Sequence, residues 1–173
     1  MFNASWVYEL PFLRAQQGVL GNLFGGWGFA GMVSLASGSP VNVVSGRDFS
    51  LTGVGFDRPN LVGSPVREHS SRQEMIETFF NTEAFVPNEP GHYGNAGRNP
   101  FSGPASASTD VSLTKKFSVS ERLGQLQFRA EAFNLFNQVN FGQPEARLVN
   151  RNFGRILSAG GPRILQLALR WNF

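Results

Sequence analysis

Pro162-Arg-Ile-Leu-Gln-Leu-Ala-Leu-Arg-Trp-Asn-Phe173 decides how this chain is read. Leu165, Leu167, Leu169, Trp171 and Phe173 fall on one side of an extended backbone, and Gln166, Ala168, Arg170 and Asn172 fall on the other. A period of two belongs to a β-strand, and here its two faces ask for different surroundings, one apolar and one aqueous. A tilted strand of ~9 to 11 residues crosses membrane hydrocarbon, and aromatic residues gather where hydrocarbon gives way to headgroups. An apolar row finishing in Trp and a terminal Phe suits that border better than the interior of a water-soluble sandwich. The expected fold is all-β: an antiparallel transmembrane barrel segment.

Working outward, the composition agrees. The chain has 173 residues, 41% of them hydrophobic, and a mean hydropathy of −0.16. No apolar run approaches the ~18 residues of a helical span. Twenty Gly, ten Pro and seventeen Phe point to turns, loops and aromatic-rich strands. The net charge is +3, and its 13 Arg and 2 Lys are scattered rather than aligned, so no stripe for nucleic acid is present. Without Cys there are no disulfides or thiolate metal sites. Met1-Phe-Asn-Ala-Ser-Trp6 has neither the charged nor the apolar region of a secretory signal, so the chain is expected to be either cytoplasmic or a fragment.

Four more strands are expected upstream. Residues 2 to 10 alternate Phe2, Ala4, Trp6, Tyr8 and Leu10 against Asn3, Ser5, Val7 and Glu9, and Pro11 stops them. After a Gly-rich connection, Trp27, Phe29, Gly31, Val33 and Leu35 alternate with small and polar residues, in a strand that continues past Pro40 toward Val44 if the Pro marks a bulge or an edge. Thr109 to Val119 sets Val111, Leu113, Lys115 and Phe117 on one face; Lys115 must there snorkel to an interface, or the register slips at a bulge. Ser120 to Gly124 reads as a tight turn, and residues 125 to 132 set Leu126 and Phe128 against Gln127, Arg129 and Glu131. Residues 45 to 106 and 138 to 161 read as long loops. Within the first, Ser71 and Glu74 form a capping box ahead of Met75, Ile76, Phe79 and Phe80, predicting one short helix of about two to three turns.

Parity supports the arrangement, because antiparallel neighbours alternate their connections between two sides. Both long loops fall on one side and the shorter links, 11 to 26 and 120 to 124, on the other. Trp6, Trp27 and Trp171 then share the short-link side, in a belt with Tyr8 and Phe173. Five strands cannot close around a lumen, since membrane barrels begin at about eight, so the chain is expected to be part of a larger barrel.

Several stretches carry a resemblance, in order along nearly the whole chain. They are Tyr8-Glu-Leu-Pro11, Gly25-Gly-Trp27, Ser37-Gly-Ser-Pro40, Asp57-Arg-Pro-Asn-Leu61, Phe80-Asn-Thr82 with Ala84-Phe85, Gly94-Asn-Ala-Gly-Arg-Asn99, Asp110-Val-Ser-Leu113, Phe128-Arg-Ala-Glu131, Phe133-Asn-Leu-Phe-Asn137, Asn140-Phe141 and the last strand. The set resembles the carboxy-terminal end of TonB-dependent outer-membrane receptors of the Oar-like type, which carry a carboxypeptidase-regulatory-like domain. The resemblance implies a barrel of about 22 strands in the cell outer membrane, an internal plug, and coupling to TonB through that plug. It also implies that the assembly machinery reads the terminal strand, at Leu169, Trp171 and Phe173.

Other constellations carry less. Gly26-Trp-Gly-Phe-Ala-Gly31 spells a dinucleotide fingerprint, but it lies inside an alternating run instead of opening a helix. His69 and His92, the only histidines, lack a convergent ligand set and read as solvated loop residues. No nucleophile elbow appears, which counts against a barrel hydrolase. Arg129 and Glu131 read as a lumen-facing ion pair with Gln166 and Arg170. Arg47, Arg58, Arg67, Arg98, Arg147, Arg151 and Arg155 are candidates for contact with lipopolysaccharide. The expectation is a non-enzymatic barrel wall without cofactor or metal. Phe29, Val33, Leu35, Val111, Leu113, Leu126, Phe128, Leu165, Leu167 and Leu169 would face lipid; the partners would be outer-membrane lipid, the rest of the receptor chain, the assembly machinery and, through the plug, TonB. The alternative is a soluble β-sandwich that binds carbohydrate or protein, with the apolar rows as its core.

Overall fold

The structure is a computed structural model that describes residues 1–12, 16–120 and 124–173, without the side chains of 118–120. The expected turn at 120 to 124 therefore lies largely outside the described residues. Two compact units are present: Met1–Ala36 with Ser106–Val139 and Gly161–Phe173, and Ser37–Ala105 with Asn140–Gly160.

The first unit is a five-stranded antiparallel meander: β1 (Phe2–Glu9), β2 (Trp27–Ala36), β3 (Ser106–Ser120), β4 (Gly124–Phe133) and β5 (Ile164–Asn172), side by side in chain order. The pairing keeps every apolar row in step. Phe29 pairs with Leu113, Leu113 with Ala130 and Ala130 with Leu167; Gly31 pairs with Val111, Val111 with Ala132 and Ala132 with Leu165. A slip of one residue anywhere would turn a whole strand inside out. The sole register shift in the described pairing falls between Ser118 and Ser120, beyond Lys115. Lys115 thus stays on the apolar face, paired with Trp27 and Phe128.

The connection between β1 and β2 holds a helix in place of the expected Gly-rich link. Helix α1 spans Gly18–Phe24, so the described residues contain two α-helices where one was expected. Val19, Leu20, Leu23 and Phe24 had the spacing of one helical face, but the Gly on either side masked it.

The second unit has its own core. Val43, Phe80, Ala84, Phe85 and Ala96 are buried together, with Leu61, Phe79, Phe101, Ala146, Leu148 and Phe153 packed around them. Phe80 is its centre, with ring centroids of Phe101 at 4.6 Å, Phe153 at 5.0 Å and Phe85 at 5.7 Å. Two two-residue ladders, Pro40–Val41 with Phe101–Ser102 and Asn60–Leu61 with Phe85–Val86, tie this unit together. The expected extension of the second strand through Val44 is thus corrected: β2 ends at Ala36, and Pro40–Val41 pairs elsewhere. Pro lacks the amide that a continuing ladder needs.

Helix α2, Arg72–Glu77, forms where the capping box predicted it, but at six residues it is shorter than two turns. Ser71 Oγ accepts from the Glu74 amide at 3.1 Å, while the Glu74 carboxylate accepts from the Ser70 amide and hydroxyl, at 2.9 and 2.6 Å. Phe79 and Phe80 lie past its end, in the loop core.

Candidate functional site

The functional surface of this chain is the five-stranded sheet, and its two faces differ in kind. The apolar face carries Phe2, Trp6 and Tyr8 from β1; Trp27, Phe29, Val33 and Leu35 from β2; Val111, Leu113, Lys115 and Phe117 from β3; Leu126 and Phe128 from β4; and Leu165, Leu167, Leu169 and Trp171 from β5. Leu165, Leu167 and Leu169 are 69%, 73% and 68% exposed. They are not the interior that the sandwich alternative required. Water does not stabilise such a row; it costs about 25 cal/mol for each Å² left bare.

The polar face carries Ser112, Thr114, Gln127, Arg129, Glu131, Gln166 and Arg170. Arg129 Nη1 stands 3.6 Å from Glu131 Oε1, and Glu131 is paired with Gln166 across the ladder. A groove of about 590 Å³ opens on this side, lined among others by Glu9, Gly28, Thr114, Lys116, Gln127 and Arg129.

Aromatic residues crowd one end of the sheet, and the register staggers them. Through the pairings of β4 with β5, β3 with β4 and β2 with β3, Trp171 comes level with Leu126 and Phe117, and Leu169 with Phe128, Lys115 and Trp27. Continuing across β1, the level of Trp171 is position 12. Tyr8 therefore stands four residues from that level and Trp6 six. Strands tilted by ~35–45° drift by about one residue per strand, or about four over four steps, so a level girdle needs a stagger of this size. Trp6 lies over Gly31, where an added Cβ would meet the indole at 2.2 Å, so only Gly fits beneath the ring.

Lys115 belongs to the same end. It is fully buried, its ammonium donates to the Gly25 carbonyl, and the rings of Phe117 and Trp27 have centroids 4.9 and 5.6 Å away. A cation on an apolar row is thereby held by a carbonyl and two aromatic faces, which is snorkelling without a register slip.

The Phe133-Asn-Leu-Phe-Asn137 stretch closes the other end of β4. Asn134 and Asn137 adopt left-handed backbone conformations, φ 52° and 53°, which Asn tolerates well. The Asn134 amide N–H donates to Asp110 Oδ1 at 2.8 Å, its side chain bridges the amide and carbonyl of Gln138, and Asn137 Oδ1 accepts from the Arg163 amide at 3.1 Å. One turn thus fastens β3, β4 and the start of β5. The sequence marks these residues by resemblance alone, since Asp110 and Asn134 lie 24 positions apart.

Gly26 to Gly31 runs into β2 and opens no helix. His69 stacks on Phe79 at 5.9 Å with Nε2 3.0 Å from the Thr78 carbonyl, which makes it partly buried packing instead of the solvated residue expected; His92 is exposed. No group of three His, Cys, Asp or Glu residues is placed to hold a metal among the described residues. Of the loop arginines, Arg147 is in a two-pronged bond with Glu145 at 3.0 and 3.1 Å, and Arg67 is 3.0 Å from Glu74. Those two guanidinium groups are engaged within the chain. The Arg147 side chain pulls the Glu145 carboxyl below its usual range.

Among the described residues no helix is long and apolar enough to cross a membrane, a fact that bears on helices alone. No curated protein and no solved structure matches the chain. The family model described as an outer membrane beta barrel domain matches residues 1–166. The antiparallel meander, its bare apolar face and this match over almost the whole length agree: the chain belongs to the outer membrane β-barrel domain family, and its place is the wall of a barrel in the cell outer membrane.

Proposed function

We propose that these five strands are wall from a TonB-dependent outer-membrane receptor of the Oar-like type, a non-enzymatic transporter whose loops meet a ligand at the cell surface. The observation that carries the reading is the inversion of burial. The buried apolar cluster sits in the loop unit, while the sheet leaves its apolar row exposed along β5 and half-exposed on the strands beside it. A wall in lipid has that distribution. Phe29, Val33, Leu35, Val111, Leu113, Leu126, Phe128, Leu165, Leu167 and Leu169 then face acyl chains, Trp6, Tyr8, Trp27, Trp171 and Phe173 form the interfacial belt, and Arg129, Glu131, Gln166 and Arg170 face the lumen.

The ordered motifs named above support the receptor type over other barrels. On this reading the assembly machinery reads Leu169, Trp171 and Phe173, and TonB acts through a plug elsewhere in the receptor. Lipopolysaccharide meets Arg47, Arg58, Arg98, Arg151 and Arg155, the loop arginines without an ion-pair partner among the described residues. Neither nucleic acid nor a cofactor has a part.

The test uses single cysteines, with any Cys outside these 173 residues replaced. Gln166→Cys and Leu167→Cys in the complete receptor, assembled in outer membranes, differ by one residue and by face. A small water-soluble thiol reagent is expected to modify the Gln166→Cys variant and spare the Leu167→Cys variant; equal modification refutes the wall. The receptor type is tested separately, by binding of the periplasmic domain of TonB to the purified receptor. No binding refutes that type and leaves the wall to the labelling result.

A further inference from the structure

Helix α1 is built the wrong way round for water. Val19, Leu20, Leu23 and Phe24 gather within roughly 140° of its circumference. All four are more than half exposed. The other side carries Gly18, Gly21 and Asn22, and Gly21 is buried so closely against the Gln16 backbone that an added Cβ would stand 2.8 Å from its carbonyl carbon. Gly21 is the one buried residue of the helix, and the large apolar residues point outward, the reverse of a helix that packs on a core. No charged residue occurs between Arg14 and Arg47, so nothing here resists entry into a membrane boundary.

The helix is also fastened on a particular side. Trp27 Nε1 donates to the Leu23 carbonyl at 3.1 Å, and the Lys115 ammonium donates to the Gly25 carbonyl. Trp27 and Lys115 both project from the apolar face of the sheet, at its aromatic end. The carboxy-terminal end of α1 is therefore held level with the girdle and on the side of the apolar row.

We infer that α1 is an interfacial anchor: its Val19, Leu20, Leu23 and Phe24 face enters the headgroup and acyl boundary of a phospholipid leaflet, continuous with the apolar face of the wall. Interfacial helices sink about 5–10 Å into that boundary. The inference rests on the lipid-facing reading of the sheet, and adds that the link between β1 and β2 is a membrane contact in its own right, not a water-exposed turn.

Three single-cysteine variants of the complete barrel protein test it: Leu20→Cys on the outward side of α1, Asn22→Cys on its other side, and Leu167→Cys on the sheet. Each is labelled with an environment-sensitive fluorophore, folded into phosphatidylethanolamine and phosphatidylglycerol vesicles, and quenched by aqueous iodide or by lipids brominated at shallow or deep acyl positions. The label at position 20 is expected to be about fivefold less sensitive to iodide than the label at 22, and quenched more by shallow than by deep bromine. The label at 167 is expected to prefer deep bromine. If the label at 20 is as open to iodide as the label at 22 while 167 is quenched by lipid, the anchor is overturned and the wall stands. Shielding of position 20 from both iodide and bromine overturns the anchor in favour of a protein partner. If lipid fails to quench 167, the wall reading fails and takes the anchor with it.

Discussion

Leu167→Arg and Gln166→Arg introduce the same charge at neighbouring positions, and a wall in lipid makes their costs differ widely. Leu167 lies four residues from Trp171 on β5 and pairs with Ala130. Four residues span about 14 Å along a strand, or about 10 Å along the membrane normal at ~40° tilt. The apolar band of a barrel is about 25 Å tall, so a position about 10 Å in from the aromatic girdle is close to the midplane. Arg costs about 2–4 kcal/mol there. In equilibrium terms this is roughly a 30- to 700-fold loss of folded protein. Gln166 is paired with Glu131 on the polar face, so Arg at that position meets a carboxylate and costs nothing or gains a few tenths of a kcal/mol, about the size of an exposed cross-strand charge pair. On a water-facing sheet the outcome is different. Leu167 is 73% exposed, and exposed substitutions usually change stability by less than about 0.5 kcal/mol. The assay is urea titration of the complete barrel protein folded into lipid vesicles, reading the gel band that changes mobility on boiling. A gap of about 2 kcal/mol or more between the two variants is the expected result; equal midpoints at equal slopes would refute the lipid-facing assignment of β5.

Four further outcomes follow from particular contacts. Phe80→Ala removes the ring at the centre of the loop core and should destabilise that unit by about 3–5 kcal/mol, seen as rapid proteolysis between residues 37 and 105; resistance equal to the parent contradicts the packing. Glu74 is held down to about 2 by the Ser70 hydroxyl and amide and the Arg67 guanidinium, so its contribution to loop stability is complete above about 4.5 and disappears as pH falls toward 2. Its carboxyl resonance should titrate near 2, and a midpoint at the ordinary glutamate value removes the cluster. Deleting Trp171 to Phe173 from the complete barrel protein should abolish assembly into the outer membrane, and normal insertion without them refutes the proposed signal role. Arg151→Gln with Arg155→Gln should weaken lipopolysaccharide binding and lower its salt dependence, whereas an unchanged salt slope sinks that contact.

The sheet was largely legible from the sequence because its rule is local. Alternation with a period of two is visible within a single strand, and once the five strands are connected by neighbours the pairing follows. Lys115 illustrates where that rule needs help. Periodicity places it on the apolar face, but the carbonyl that satisfies it belongs to Gly25, 90 residues earlier. The loop unit was illegible for the same reason. Val43, Phe80, Phe101 and Phe153 come from four separate segments with no common period, so nothing along the chain announces that they meet. Helix α1 is a different kind of miss. Its period was present, but apolar residues set among Gly18, Gly21, Gly25 and Gly26 read as a Gly-rich connection, and the helix is short enough that propensity alone does not select it.

The two units place their apolar residues by opposite rules, and the solvent explains both. Residues 37–105 and 140–160 gather Phe80, Phe85, Phe101 and Phe153 inward, because a loop in water gains by removing them from it. The sheet does the opposite with Leu165, Leu167 and Leu169, which cannot find shelter within five strands and gain nothing by hiding when the surrounding medium is itself apolar. What holds the sheet is then its ladder of backbone bonds, together with local clamps such as Asp110 with Asn134 and the Gly25 carbonyl with Lys115. The polar face completes the argument. Arg129, Glu131, Gln127 and Thr114 are tolerated on a wall only where water reaches them, so the proposed reading places lipid on one side of the five strands and water on the other.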